Sequence, residues 1–514
     1  MTEAMTALRL AYAVLLPTAM GYLLVSACTA GRSGATRLER VFLGFGAGTG
    51  ILTLEMFLLG LLKIPFGVGA ISLGSVAVIG ILAFLCHRFG CLRSPTGWQG
   101  PGTDPAPSGG KMAGAILIPV LVLGLWIGAK IAFALYEASL LPVHTSDSWT
   151  HWSSGAKFFY YERGLHLDRS SQHFFGSGYL ATQRYPLHVP LLQVWFALCL
   201  GGVHEIYMKL WNSLYYVSLL GLVFFGLVRE TTVLVALFAA FFLSSAPLIT
   251  YHALTSYADL PLGYYSLGAA VCLWKVATML RKGEGAESCK GPLVLLGVFV
   301  ALAVWTKLEG LFVAVAFSIA LFALLMPEGR RLRRFASYAA PVLSVVLAWY
   351  LFLAFQDVRV VSGEERQIGE IVERGLHMEA VPRILGQMFA SSNFNLIFPF
   401  LLVLSVAGFR MIRRSDVRYL FLALSCLMVL YLLLYLGTES YRWVMNLTAV
   451  NRNLMTLVPM MYFLAGLSVM PLIRSDASRG KKNDAARGSP GDSVSAKFRT
   501  RIRRWSMWRI TGKP

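Results

Sequence analysis

The chain has 514 residues, of which 56% are hydrophobic and only 14% charged. The apolar residues fall in runs of membrane-spanning size along nearly its whole length, which excludes a soluble enzyme. The formal net charge of +20 sits mainly in short segments between these runs, so it reads as membrane topology and not as a nucleic-acid partner.

Thirteen apolar runs are long enough to span a bilayer, or nearly so: roughly 8–28, 41–62, 67–85, 112–136, 206–228, 232–250, 260–280, 291–306, 309–326, 336–355, 396–409, 418–436 and 454–473. The expected fold is therefore an all-α integral membrane protein with about thirteen transmembrane helices. The first run follows one early cation, Arg9, without a convincing cleavage site after it, and is expected to be a retained helix. Between the third and fourth runs, Ser94 to Gly110 is rich in Pro and Gly and reads as a flexible cytoplasmic linker. The run Leu187 to Gly202 is short, begins with Pro186 and Pro190, and is expected to lie on the membrane surface.

Charge supports that assignment. With the run 187–202 not spanning, one face collects Arg32, Arg37, Arg40, Arg88, Arg93, Lys111, Arg229, Arg281, Lys282, the Arg330 to Arg334 cluster, Arg410, Arg413, Arg414 and the basic tail. That face is cytoplasmic by the positive-inside rule. The N-terminus is then outside and the C-terminus cytoplasmic, in the cell (inner) membrane. Two long loops, 137–205 and 356–395, fall outside, where functional residues are expected. Three parts follow: three helices and a linker over 1–111, a catalytic transmembrane region over 112–473, and a flexible basic tail over 474–514 that meets anionic lipid. The seven cysteines are scattered and suggest neither a metal cluster nor a disulfide framework.

The first outer loop reads His144-Thr-Ser-Asp147-Ser-Trp149-Thr-His151-Trp152. A carboxylate among aromatics at the membrane surface is placed to act as a general base, its basicity raised as Trp149 and Trp152 exclude water. The alternative is a helix N-cap, a common place for Asp. A second segment, Tyr251-His252-Ala-Leu-Thr-Ser-Tyr257-Ala-Asp259-Leu-Pro261, brings Asp259 to the same face, again with capping as the alternative. Trp305-Thr-Lys307-Leu-Glu309-Gly310 interrupts two apolar runs with a cation and an anion, which also suits a salt-bridged hairpin turn. Late in the chain come Glu439-Ser-Tyr441-Arg442-Trp443 and Asn451-Arg452-Asn453. An Arg there holds a lipid phosphate by bidentate hydrogen bonds, or merely anchors the interface.

The order of these elements, with Tyr185-Pro-Leu-His-Val-Pro-Leu191 among them, resembles the GT-C superfamily of polytopic glycosyltransferases over residues 112 to 470. The branch it is most similar to contains protein O-mannosyltransferases and aminoarabinose transferases. The resemblance implies transfer of a sugar from a polyprenyl-phosphate donor to a hydroxyl of a glycan, lipid or protein acceptor on the extracytoplasmic face. Asp147 would be the base and Asp259 would orient the acceptor. Lys307 and Arg452 would stabilise the leaving phosphate, with Glu309, Arg442, His252 and Trp149 as further substrate contacts. Three helices precede the aspartate loop where the family often has none. No metal ligand is assigned. A divalent cation is left open as cofactor, because the family's aspartate loop can carry a second acid, whereas here the next acids are Glu162 and Asp168. The rivals are an envelope polysaccharide polymerase or ligase using a lipid pyrophosphate, and a transporter built around Glu55, Lys130, Lys209 or Lys275.

Overall fold

The computed structural model describes residues 3–29, 35–91, 110–177, 180, 183–283, 286–327, 331–359 and 375–469, with the backbone alone at 110–115 and 286–287. The linker expected at 94–109, Arg32, Arg93, Arg330, the Lys111 side chain, the stretch 360–374 of the second outer loop and the basic tail lie outside the described residues.

Every regular element is helical, with no strand among the described residues. Four long helices come first: α1 (Glu3–Cys28), α2 (Arg37–Leu61), α3 (Val68–Arg88) and α4 (Gly110–Leu140). The first long loop of the sequence, 137–205, carries α5 (Ser154–Tyr161) and α6 (His188–Leu200). Then follow α7 (Glu205–Met208), α8 (Leu210–Val228), α9 (Val233–Ser244), α10 (Pro247–Ala253), α11 (Asp259–Arg281), α12 (Ala286–Thr306), α13 (Gly310–Leu325) and α14 (Arg331–Phe355). The second long loop, 356–395, carries α15 (Val381–Phe389), and after it come α16 (Ile397–Ala407), α17 (Phe409–Arg414), α18 (Val417–Gly437), α19 (Tyr441–Met445), α20 (Val450–Leu454) and a last helix over 458–469.

Among the described residues eight helices, and not thirteen, have the length and apolarity of a span, or nine if the bent pair α9 and α10 is one. The other expected runs are helical too. However, α13 and α16 are short, and α11 carries more polar groups because it lies inside the protein. The bend has a local cause. Pro247 opens α10 and has no N–H to continue α9, so the axis turns by 70°. The start of α2 is a Thr-x-x-Glu box in which the Thr36 hydroxyl accepts from the Glu39 backbone N–H at 3.1 Å.

Helix α11 is the centre of the bundle, buried at every residue but Lys275, Leu280 and Arg281. Its Tyr265 hydroxyl donates to the Gly46 carbonyl at 2.9 Å and lies 2.7 Å from the Tyr215 hydroxyl. Both phenols meet one ring nitrogen of His188, at 3.0 and 3.2 Å, while the other nitrogen is 2.8 Å from the Thr53 hydroxyl. Burying these groups is costly unless all are paired, and pairing them ties α2, α6, α8 and α11 into one arrangement. The first two helices belong to the same body. A Cβ at Gly48 would stand 1.6 Å from the Pro17 carbonyl oxygen, so the α1 and α2 backbones touch there, as small residues permit.

One expectation is overturned. At 13 residues, α6 is too short to span a core of about 30 Å. It does not lie on the membrane surface either: every residue from His188 to Leu200 is buried in protein, and Trp195 donates to the Ala13 carbonyl at 2.9 Å. Its continuous apolar sequence suits a core helix, whereas a surface helix needs a polar face.

The bundle has two charged ends. At one, Glu39 in the first turn of α2 pairs with Lys275 of α11 and lies 3.7 Å from Arg229, while Arg281 meets Asp416 at 2.9 Å. Asp259, at the first residue of α11, is roughly 24 Å from Lys275 at 1.5 Å per residue. The candidate site is built at that second end.

Candidate active site

Asp147 follows α4 and precedes a π-helical turn, Ser148–Ser153, that runs into α5. Such turns are uncommon and concentrate at functional positions. The Ser148 hydroxyl accepts from Thr145 at 2.5 Å and from the Ser256 backbone N–H at 2.9 Å. This pins the Asp147 loop to the segment that leads into Asp259. Neither acid caps its helix through its side chain, so the capping alternative fails for both. Asp259 still gains from lying in the first turn, where the helix dipole favours a negative charge.

The two acids share one cation. Arg452 of α20 donates from Nη1 to Asp147 Oδ2, and from Nε and Nη2 to Asp259 Oδ2 at 3.1 and 3.0 Å. Its guanidinium stacks on the Tyr257 ring, 4.3 Å from the centroid. Lys307 holds the other oxygen of Asp259 at 2.8 Å, and also reaches Glu309 Oε1 at 3.0 Å and Asn453 Oδ1 at 3.2 Å. Asn453 in turn donates to the Tyr435 hydroxyl at 2.7 Å. Asp259 is 1% exposed and Lys307 6%, whereas Arg452 is 20% and Asp147 31% exposed. The cluster is thus buried on the Lys307 side and open on the Asp147 side.

Counting donors separates the two cations. An ammonium has three N–H groups, and Lys307 donates two of them to Asp259 and Asn453 while it is ion-paired with Glu309 at 3.0 Å. Burial alone would depress its pKa, but the Asp259 and Glu309 carboxylates outweigh that and raise it, so the ammonium stays charged. The Arg452 fork has five N–H groups and gives three of them to the two aspartates, leaving one on each terminal nitrogen. Three carboxylates face two cations, and Glu309 Oε2 has no hydrogen-bond partner among the described residues.

His151, one helical turn beyond Asp147, has its Nε2 3.8 Å from Asp147 Oδ1. Burial lowers its pKa below the ordinary value, with Arg452 adding to the effect and Asp147 opposing it. It is therefore neutral at pH 7, and Arg452 is the fixed charge that Asp147 meets. A shallow cleft opens beside it, lined by His151, Trp152, Gln183, Tyr185 and Pro190. Tyr185 carries the field of the cluster into that cleft: burial raises its pKa, Glu309 adds, and Lys307, Arg184 and Arg452 oppose.

The structure brings together Asp147, Asp259, Lys307, Glu309 and Arg452 from four segments. It leaves Arg442 out, exposed at 64% and paired with Glu439 at 3.1 Å. Trp149 is 60% exposed and so cannot desolvate Asp147, whereas Trp152 is buried beside the cleft. His252 is buried against Tyr257, with ring centroids 5.0 Å apart, and its carbonyl accepts from Asn212 at 3.0 Å. Tyr257, Asn453, Tyr435 and His151 were not singled out by sequence. Only His151, four residues after Asp147, carried a local signal.

Among the described residues no group of three or more His, Cys, Asp or Glu side chains is arranged to hold a metal ion. The transporter candidates do not converge. Glu55 accepts from Ser75 at 2.8 Å, Lys130 lies 5.7 Å from the Phe133 ring, Lys209 donates to the Leu254 carbonyl at 3.2 Å, and Lys275 pairs with Glu39.

Fold and site together define an all-helical, multi-pass membrane protein with a buried acid and cation cluster at one end of its bundle. No protein-family model matches the chain, and no curated protein matches it. Among solved structures it is similar to the archaeal oligosaccharyltransferase AglB from Archaeoglobus fulgidus, in complex with an inhibitory peptide and a dolichol-phosphate. The TM-score is 0.36 at 11% identity, over 73% of this chain and 54% of that one. The chain thus spans about half the length of that protein.

Proposed function

We propose that this protein transfers a sugar from a polyprenyl-phosphate donor to an acceptor hydroxyl on the extracytoplasmic side of a cell membrane. The observation that carries the reading is Arg452 held between Asp147 and Asp259 at the open edge of the cluster. This is an arrangement of a carboxylate base beside a phosphate-binding fork. The motif order resembling GT-C glycosyltransferases agrees with it, with 112–473 as the catalytic region and α1 to α3 as an addition packed into the same bundle.

In the reaction, Asp147 takes the proton of the acceptor hydroxyl as its oxygen bonds to the anomeric carbon. The bond from that carbon to the phosphate oxygen breaks, and the electron pair leaves with the phosphate. One displacement inverts the carbon. Charge grows on the leaving phosphate, and a fixed guanidinium opposite it favours the transition state. Arg452 has N–H groups free for this role at the open edge, while Lys307, buried among Asp259, Glu309 and Asn453, acts by orienting Asp259 and by charge. Asp259 holds Arg452 in place. In this reading the lipid tail enters sideways from the bilayer, and the positive-inside rule applied to the basic loops at the Glu39 end supports a site outside and a C-terminus in the cytoplasm.

The test is release of radiolabelled sugar from a panel of polyprenyl-phosphate sugars by the purified protein, with an envelope extract supplying acceptors. Release from at least one monophosphate donor is expected. Release only from pyrophosphate donors would favour the polymerase or ligase reading instead.

A further inference from the structure

We infer that the donor phosphate and Asp147 compete for the same edge of Arg452, so that the base is masked in the empty enzyme and freed when the lipid phosphate binds. The inference rests on the phosphate-donor reading above and concerns the regulation of that site. Its starting point is the inequality of the two aspartates. Asp259 is buried, accepts Nε and Nη2 of Arg452 on one oxygen and is held by Lys307 on the other. It is a permanent anchor. Asp147 is half-buried, takes only Nη1, and its other oxygen meets a neutral His151 at 3.8 Å, beyond hydrogen-bond range. It is the exchangeable partner.

The donor's phosphodiester carries one charge, as a carboxylate does, but presents two non-bridging oxygens that suit a guanidinium fork through two parallel hydrogen bonds, and as the sugar leaves it becomes a monoester of higher charge. Each terminal nitrogen of Arg452 keeps one N–H, but a phosphate that reaches them arrives beside the Asp147 carboxylate already on Nη1, and two anions on one nitrogen repel, so binding of the phosphate displaces the more weakly held Asp147. While Asp147 Oδ2 accepts from Nη1, that oxygen is occupied and turned to the guanidinium, away from an acceptor hydroxyl. Once Nη1 turns to phosphate, the Asp147 oxygen is free to accept a hydrogen bond from the acceptor hydroxyl next to the bond that breaks. Before donor binding, the ion pair keeps the base from activating water. Arg452 is thus a positioning residue for Asp147 as well as a phosphate contact.

The consequence has an unusual sign: removing the charge of a site residue tightens donor binding. Farnesyl phosphate titrated calorimetrically into the full-length protein in detergent is the probe, with farnesol and inorganic phosphate as controls. Asp147→Asn and Asp147→Ala are expected to bind it about fivefold more tightly than wild type, the worth of one partly exposed ion pair. Arg452→Ala is expected to abolish the difference between Asp147 and its variants. Weaker or equal binding by Asp147→Asn, with wild-type binding still dependent on Arg452, would overturn the inference and leave the donor reading intact. Binding that ignores Arg452, or no binding by any variant, would remove the donor reading and the inference with it.

Discussion

Lys307→Met is expected to destabilise the protein by about 3–5 kcal/mol, the cost of breaking one side of a buried ion pair. The ammonium is 6% exposed and its loss strands three partners. Asp259 would keep only Arg452, while the Glu309 and Asn453 oxygens would lose the donor that holds them. A buried charge left without a partner costs more than the pair contributes when intact, so Lys307→Met should be worse than Lys307→Met combined with Asp259→Asn. The thermal midpoint of the detergent-solubilised protein reads both. A change below about 0.5 kcal/mol for the single variant, the range of an ordinary surface substitution, would mean that water reaches this cluster.

Arg452→Lys is expected to lower kcat/KM for the donor at least about a hundredfold, the scale of losing one preorganised donor to a developing charge. Lysine keeps the charge but not the planar fork, and the present geometry uses the fork on two carboxylates at once. Arg442→Ala in the same assay is the internal control. That side chain is exposed and pairs with Glu439 in its own helical segment, so its loss should change kcat/KM less than about twofold. Initial rates with a labelled donor decide it, and a larger effect at Arg442 than at Arg452 would move the phosphate site to α19.

These two arginines mark where sequence reading stops. Both follow an apolar run on the same expected side, and nothing local distinguishes a phosphate ligand from an interfacial anchor. The difference is tertiary: Arg452 is 305 residues from Asp147 and 193 from Asp259 in the chain, and only the packing of α11 and α20 brings them together. Helix positions were legible because apolar periodicity and length are local properties, and Pro247 even marks the bend between α9 and α10. Burial was less so. A mainly apolar segment such as α6 looks much the same whether lipid or protein surrounds it, and the polar pattern of α11, with Tyr264 and Tyr265, makes sense only once α2 and α8 cover it. The four candidate segments were found as motifs, yet the roles within them needed geometry. Lys307 is buried against Asp259, Glu309 and Asn453, Trp149 faces outward, and the Asp147 carboxylate meets Arg452 where a cap would have turned it to the backbone.

The most direct test of a glycosyltransferase with Asp147 as its base is single-turnover transfer of labelled sugar from a saturating polyprenyl-phosphate donor, comparing wild type with Asp147→Asn. Asparagine keeps the shape and cannot take the proton. The account predicts transfer by the wild type and none above background by the variant, although the variant is folded and binds the lipid phosphate. Transfer by Asp147→Asn at the wild-type rate would contradict it, and the base would have to be sought elsewhere in the cluster.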